Sequence, residues 1–276
     1  MKREDLDIVF IGFDGYKDLW DDCMNLYNHF WEDRPYKTYF VNNVEEVAYE
    51  DVTVLHAGSD AEWSKKVQIA LANTTAQYIC LLLEDFFVGK KIDNKLIATT
   101  LELIRDNDLR YFKLTNMSRA VKNSDPLYKN YDYLHVIPES DDYGVSLQAA
   151  IWERSFLEEL VGKENYNAWI FEFNQVKKAQ GKSDKPLEGC VFDERNILNL
   201  KHGVVQGKYI PSTVAYFQEL GMPLHIKREV LSEYQYLKIM MRSKVKFMLP
   251  KRMRKPVKKI AEKLGMKFVS TIRDKE

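Results

Sequence analysis

Apolar residues along the first two-thirds of the chain alternate between two periods. Short β-rich runs such as "LDIVFIGF" (6–13), "YKTYFVNN" (36–43) and "VTVLHAG" (52–58) are separated by stretches whose apolar positions recur every three or four residues. Leu19, Trp20, Cys23, Met24, Tyr27, Phe30 and Trp31 define one amphipathic helix, and Trp63, Val67, Ala70 and Leu71 a second. "YICLLLEDFFVG" (78–89) predicts the next strand, "NKLIATTLELIRDND" a helix, and "RYFKLTN" and "DYLHVIP" further strands. "ERSFLEELVGK" predicts a helix that stops near Gly162. Strands alternating with helices predict an α/β fold, a Rossmann-like αβα sandwich with a mostly parallel central sheet, whose ligands sit at the carboxyl ends of strands. The polar segment "KKAQGKSDKPLEG" (177–189) reads as a loop.

The pattern changes near residue 232, giving two predicted domains, 1–231 and 232–276. The second interleaves basic residues with Ile239, Met240, Met241, Val245, Phe247 and Met248. After Pro256 it sets Val257, Ile260, Ala261 and Leu264 opposite Lys258, Lys259 and Lys263. Formal charge sharpens the division. Residues 238–276 hold fourteen Lys or Arg against Glu262, Asp274 and Glu276, a net +11, so in a chain of zero net charge residues 1–237 carry −11. Without regularly placed aromatics for base stacking, the basic amphipathic tail suits an anionic membrane surface better than nucleic acid. A basic helix packed on the acidic body is the alternative.

Composition narrows the class: 45% hydrophobic residues support a real core, and no uncharged apolar run is long enough to span a bilayer. The N-terminal "MKREDLD" has no apolar signal region, and Cys23, Cys80 and Cys190 show no CxxC spacing. These features predict a cytoplasmic protein with reduced thiols. No GxSxG, HExxH, P-loop or GxGxxG motif is present.

The candidate chemistry centres on Glu84 and Asp85, two adjacent carboxylates that close an apolar run immediately before Phe86 and Phe87. At a strand's carboxyl end, such a carboxylate can bind a divalent cation that neutralises a diphosphate; a plain acidic surface turn is the alternative.

Taken in order, "DGYKDLW" (14–20), "RPYKTYFVNN", "WSKKVQIAL", "YICLLLEDFF", "SLQAAIW" (146–152) and "AWIFEF" (168–173) resemble bacterial GT-A-type glycosyltransferases of capsule and lipopolysaccharide O-antigen biosynthesis over roughly residues 6–210. The resemblance implies a GT-A-like fold, a nucleotide-diphosphate sugar donor, a glycan or glycolipid acceptor, and a location on the inner face of the cell membrane. It implies donor contacts at Asp14, Tyr16, Asn43, Trp63, Lys66, Glu84, Asp85 and Lys208, with turn chemistry open for Asn43, core packing open for Trp63 and a solvated lysine open for Lys66. It implies Glu172 as the base of an inverting displacement, a plain glutamate on an amphipathic edge being open, and Gln148 and Trp152 along the acceptor or donor sugar, core packing again being open for Trp152. Asp85 and His202 are the implied ligands of Mn²⁺ or Mg²⁺, an ordinary turn being open for His202. The sequence carries ED where the fold more widely carries DxD, which leaves the metal requirement open. A retaining transferase on the same fold and a catalytically silent, membrane-recruited scaffold are the rival readings.

Overall fold

The computed structural model describes residues 3–115 and 126–248. The chain divides into two units, 1–230 and 231–276. In chain order the first unit contains β1 (Arg3–Ile11), a single 3-10 turn (Asp14–Tyr16), α1 (Lys17–Phe30), β2 (Tyr36–Asn42), β3 (Thr53–His56) and α2 (Trp63–Asn73). There follow β4 (Tyr78–Leu83), β5 (Phe86–Val88), α3 (Asn94–Asp106), β6 (Tyr111–Lys113), β7 (Leu134–Pro138), β8 (Ala150–Glu153) and α4 (Arg154–Val161). The last are α5 (Ala168–Ala179), β9 (Pro186–Asp193), β10 (Leu200–His202), β11 (Val204–Val205), β12 (Lys208–Tyr209) and α6 (Pro211–Glu219).

Eight strands form one sheet in the order β3-β2-β1-β4-β8-β6-β9-β7. The pairs β1/β2, β2/β3, β1/β4 and β6/β9 are parallel; β8 runs antiparallel to both β4 and β6, and β7 antiparallel to β9. Side chains alternate across each strand, so the sheet buries two cores. One packs Phe10, Phe40 and Phe112 against Trp20 and Tyr27 of α1, Leu101 of α3 and Phe217 of α6. The other packs Val9, Val41 and Trp152 against Val67 of α2, Leu157 of α4 and Phe171 of α5. This is the αβα sandwich with a mostly parallel sheet that the alternation predicts.

Caps fix the helix limits. Asp93 accepts from Lys95 N and Leu96 N to start α3, Asn167 accepts from Ile170 N to start α5, and Gly162, at φ 66°, closes α4 in a backbone region glycine adopts readily.

Two expectations need correction. "YICLLLEDFFVG" is two strands: the chain turns at Glu84–Asp85, and β5 leaves the main sheet to pair with β10. The polar segment 177–189 is not all loop, because α5 runs to Ala179 and β9 starts at Pro186, composition having masked both ends. The second unit contributes α7 (Glu233–Met248) to the described residues; the amphipathic pattern after Pro256 lies outside them. No described helix is long and apolar enough to cross a membrane. Cys23, Cys80 and Cys190 are free and buried.

Candidate functional site

Register brings the candidate residues to one edge. Ile11 lies opposite Val41 on one side and Leu83 on the other, so Gly12–Asp14, Asn42–Asn43 and Glu84–Asp85 leave the sheet side by side. Because β8 is antiparallel, with Ala150 opposite Leu81, the residues before it, including Gln148, reach the same edge. Helix α5 meets this edge through Glu172, whose Oε1 accepts from Leu147 N at 3.3 Å.

The β1/β2/β4 half of the edge is tied together by its own polar groups. Asp14 accepts from Asn43 N (2.8 Å) and Val44 N (3.1 Å), joining the tips of β1 and β2. Asn43 Nδ2 donates to Gly58 O and Ala61 O at 3.0 and 2.7 Å, bracing the loop that leads into α2. Lys66 is buried and donates from Nζ to Gly12 O at 2.7 Å. Burial pushes its pKa down, opposed by the nearby Glu84 and Asp14 carboxylates.

The adjacent carboxylates occupy different environments. Glu84 is only 8% exposed and accepts from Phe13 N at 3.3 Å. Burial first, and the Asp85 charge second, push its pKa up to about 8, so this carboxyl keeps its proton at neutral pH. Asp85 faces β10: its Oδ2 lies 2.9 Å from His202 Nε2, and its Oδ1 is buried without a hydrogen-bond partner among the described residues. Strand β10, which holds His202, is fixed by Gly203 N donating to Asp85 O (2.8 Å) and by Thr213 Oγ1 donating to His202 O (2.7 Å). Gly203 is required by close approach, since a Cβ there would stand 2.6 Å from the Phe87 ring.

The implied divalent cation requires oxygen ligands at this edge. An orphaned, buried carboxylate oxygen beside an imidazole is suitable chemistry, yet among the described residues no three His, Cys, Asp or Glu side chains gather around one point. The pair fits an ion that takes its other ligands from phosphate and water, the usual manner of Mg²⁺, and not an all-protein cage.

Three assigned residues lie elsewhere in character. Trp152 is fully buried, with its ring 4.4 Å from Tyr111, so it packs the core and cannot stack on a sugar. Trp63 is likewise buried, 4.8 Å from the Phe171 ring, and supports α5 from below. Lys208 pairs with Glu229 at 2.6 Å. Of the aromatic residues next to Glu172 in sequence, Phe171 is buried, whereas Trp169 and Phe173 face outward.

Arg228 carries no local sequence signal. Its guanidinium lies 3.9 Å over the Tyr16 ring, forks onto Asp18 with two 2.6 Å contacts, and donates to Gly15 O at 2.9 Å, clamping the turn after β1. No local pattern could reveal it, because its partners lie more than two hundred residues earlier.

No protein-family model matches the chain, and no curated protein matches it. Among solved structures it is similar to S. aureus TarS at 12% identity and TM-score 0.43, covering 70% of this chain and 37% of that one. It is similar to a cytidylyltransferase from Leptospira borgpetersenii at 13% identity and TM-score 0.38, covering 67% and 82% of the two chains. It is also similar to an active-site mutant of LgtC at 9% identity and TM-score 0.37, covering 90% and 99%. None of these likenesses is close enough to carry a functional argument.

Proposed function

We propose that the protein is a GT-A-like glycosyltransferase that moves a sugar from a nucleotide-diphosphate donor to a surface-glycan acceptor, with inversion by direct displacement. One observation carries the reading: a buried Asp85 oxygen without a partner, beside His202, where strands end and diphosphates are ordinarily held. The motif resemblance supplies the reaction class.

In this reading the donor lies over the β1/β2/β4 edge. Protonated Glu84 keeps the acidic pair from repelling a diphosphate as a dianion would, and its bond from Phe13 N holds the β1 tip against β4. Asp14 and Asn43 act indirectly, by fixing the rim on which nucleoside and phosphate rest, since their bonds run to the rim's own backbone. Asp85 and His202 would hold a divalent cation; such an ion neutralises charge on the leaving diphosphate. Glu172, oriented by Leu147 N, takes the proton of the acceptor hydroxyl while that oxygen bonds to the sugar carbon and the diphosphate departs with the bonding pair. Gln148 would meet sugar hydroxyls, a role supported by its place just before β8 on the same edge.

The acceptor is proposed to be lipid-linked on the inner face of the cell membrane, with segment 232–276 touching the anionic leaflet. Supporting this, α7 exposes Tyr234, Leu237 and Met241 at spacings of three and four beside basic residues.

A thermal-shift panel of UDP-, GDP- and CDP-sugars, with and without Mn²⁺ or Mg²⁺, tests the reading. One nucleotide class should stabilise the protein, less so after Asp85→Asn. No stabilisation by any donor, with or without either ion, would defeat the proposal.

A further inference from the structure

Helix α5 carries two apolar surfaces where a core-packed helix needs one. Phe171, Gln175 and Ala179 recur every four residues and are buried, so they define the side turned to the sheet. Trp169 and Phe173, each two residues from Phe171, fall about half a turn away and point out from the body. They are 60% and 49% exposed, and Ile170 beside them is 38% exposed. The same chain buries its other four tryptophans, Trp20, Trp31, Trp63 and Trp152. A crest of one indole, one phenyl and one branched aliphatic side chain is an unusual thing to leave in water, and single exposed apolar residues do not account for it.

The charge beside the crest identifies its occupant. Lys177 lies with Nζ 4.4 Å over the Phe173 ring, and Lys178, Lys182 and Lys185 follow, against Asp184 alone in residues 177–185. This basic flank belongs to a body that is otherwise strongly acidic, since residues 1–237 sum to −11. The acidic residue of α5, Glu172, accepts from Leu147 N at the sheet edge. An aromatic crest flanked on one side by lysines matches the headgroup zone of an anionic bilayer, where indoles settle at the interface and each nearby lysine adds roughly 1 kcal/mol.

We propose that Trp169 and Phe173 of α5 form a bilayer contact of the first unit itself, inserting at headgroup level of an anionic leaflet. It rests on the membrane reading above only for the identity of the partner, because it uses a surface separate from residues 232–276. The contact would hold Glu172, which lies between the two aromatics in sequence, close to the lipid surface from which a lipid-linked acceptor presents its sugar.

Trp169 is also the one tryptophan of five exposed enough to report on the contact. The test adds vesicles of phosphatidylcholine with a minority of phosphatidylglycerol to the full chain, and follows tryptophan emission together with flotation. Emission should shift to the blue and be quenched when the phosphatidylcholine is brominated. Trp169→Phe should abolish both signals while the protein still floats, and Phe173→Ser should weaken vesicle binding by about 3- to 10-fold, as expected for one interfacial aromatic. Flotation of the wild type with unquenched emission would overturn the crest contact and leave the tail reading standing. Absence of flotation would overturn both. A blue shift persisting in Trp169→Phe, or one produced by a soluble dextran oligosaccharide without vesicles, would also overturn the contact.

Discussion

The two halves of the sheet's carboxyl edge are built on opposite plans. On the β1/β2/β4 half, Asp14, Asn43, Lys66 and Glu84 each bond to backbone of a neighbouring loop, and the last three are buried. On the β8/α5 half, Glu172 of the helix accepts from Leu147 N at the edge, and two large aromatics stand in the open beside it. The first plan suits a ligand of fixed shape, because a rim already ordered loses little further freedom on binding. The second suits a partner that varies or arrives on a surface.

Glu172→Gln tests whether the open half does chemistry. An amide keeps the shape and can still accept from Leu147 N, but it cannot take a proton. Turnover should fall by about 10²- to 10⁴-fold, while the thermal shift given by the donor stays within error of wild type. Unchanged turnover would remove Glu172 from the chemistry and favour a retaining enzyme; an unchanged cellular role without turnover would favour a scaffold.

Asp85→Asn probes the closed half. The amide retains the contact with His202 but loses the charge, so donor affinity should drop roughly 10- to 100-fold and its dependence on Mg²⁺ or Mn²⁺ should flatten, as read by calorimetric titration of the donor that the thermal-shift panel selects. Equal affinity in both proteins would show that the orphaned Oδ1 meets no phosphate-borne ion.

The plan of each half was unequally readable in the sequence. Strands and helices followed from local periodicity, and the acidic pair was visible because Glu84 and Asp85 interrupt an apolar run. Asp85 and His202 could be named together only through motif resemblance, since 117 residues separate them. Which tryptophan is outside was not legible: Trp152 and Trp169 both sit among apolar neighbours, and only packing shows that one fills a central strand while the other crowns a helix. The different states of Glu84 and Asp85 were hidden for the same reason, burial being a property of the assembled edge. Arg228 was invisible because a clamp on Asp18 is a tertiary contact without a local signature.

Glu84 offers a subtler test, through pH. Its carboxyl stands near 8 in the folded state against an ordinary 4.5, so between those values the folded protein keeps a proton that the unfolded chain has released. Stability therefore declines as pH rises through that window and levels off above it. Glu84→Gln mimics the protonated form and should remove this part of the decline, gaining on the order of 4 kcal/mol at pH 9 over its effect at pH 5. Denaturant melts at the two pH values check it; parallel losses in both proteins would mean that Glu84 is ionised in the fold.

The smallest effect expected comes from Thr213, which never meets the ligand. Its hydroxyl donates to His202 O at 2.7 Å from the first turn of α6, and the residue is buried, so it sets the height of the imidazole over Asp85. Thr213→Val keeps the shape and removes the donor, leaving the carbonyl short of a partner at a cost of about 0.5–1.5 kcal/mol. A purely structural role would lower stability alone. A positioning role would also weaken donor binding about 2- to 5-fold, the share of that same energy felt at the site, and Thr213→Ser would restore it by returning the hydroxyl. Donor titrations of the two variants side by side decide the matter: weakening by valine that serine does not rescue would assign the loss to packing, and no weakening by either would separate the anchor of β10 from the closed half of the edge.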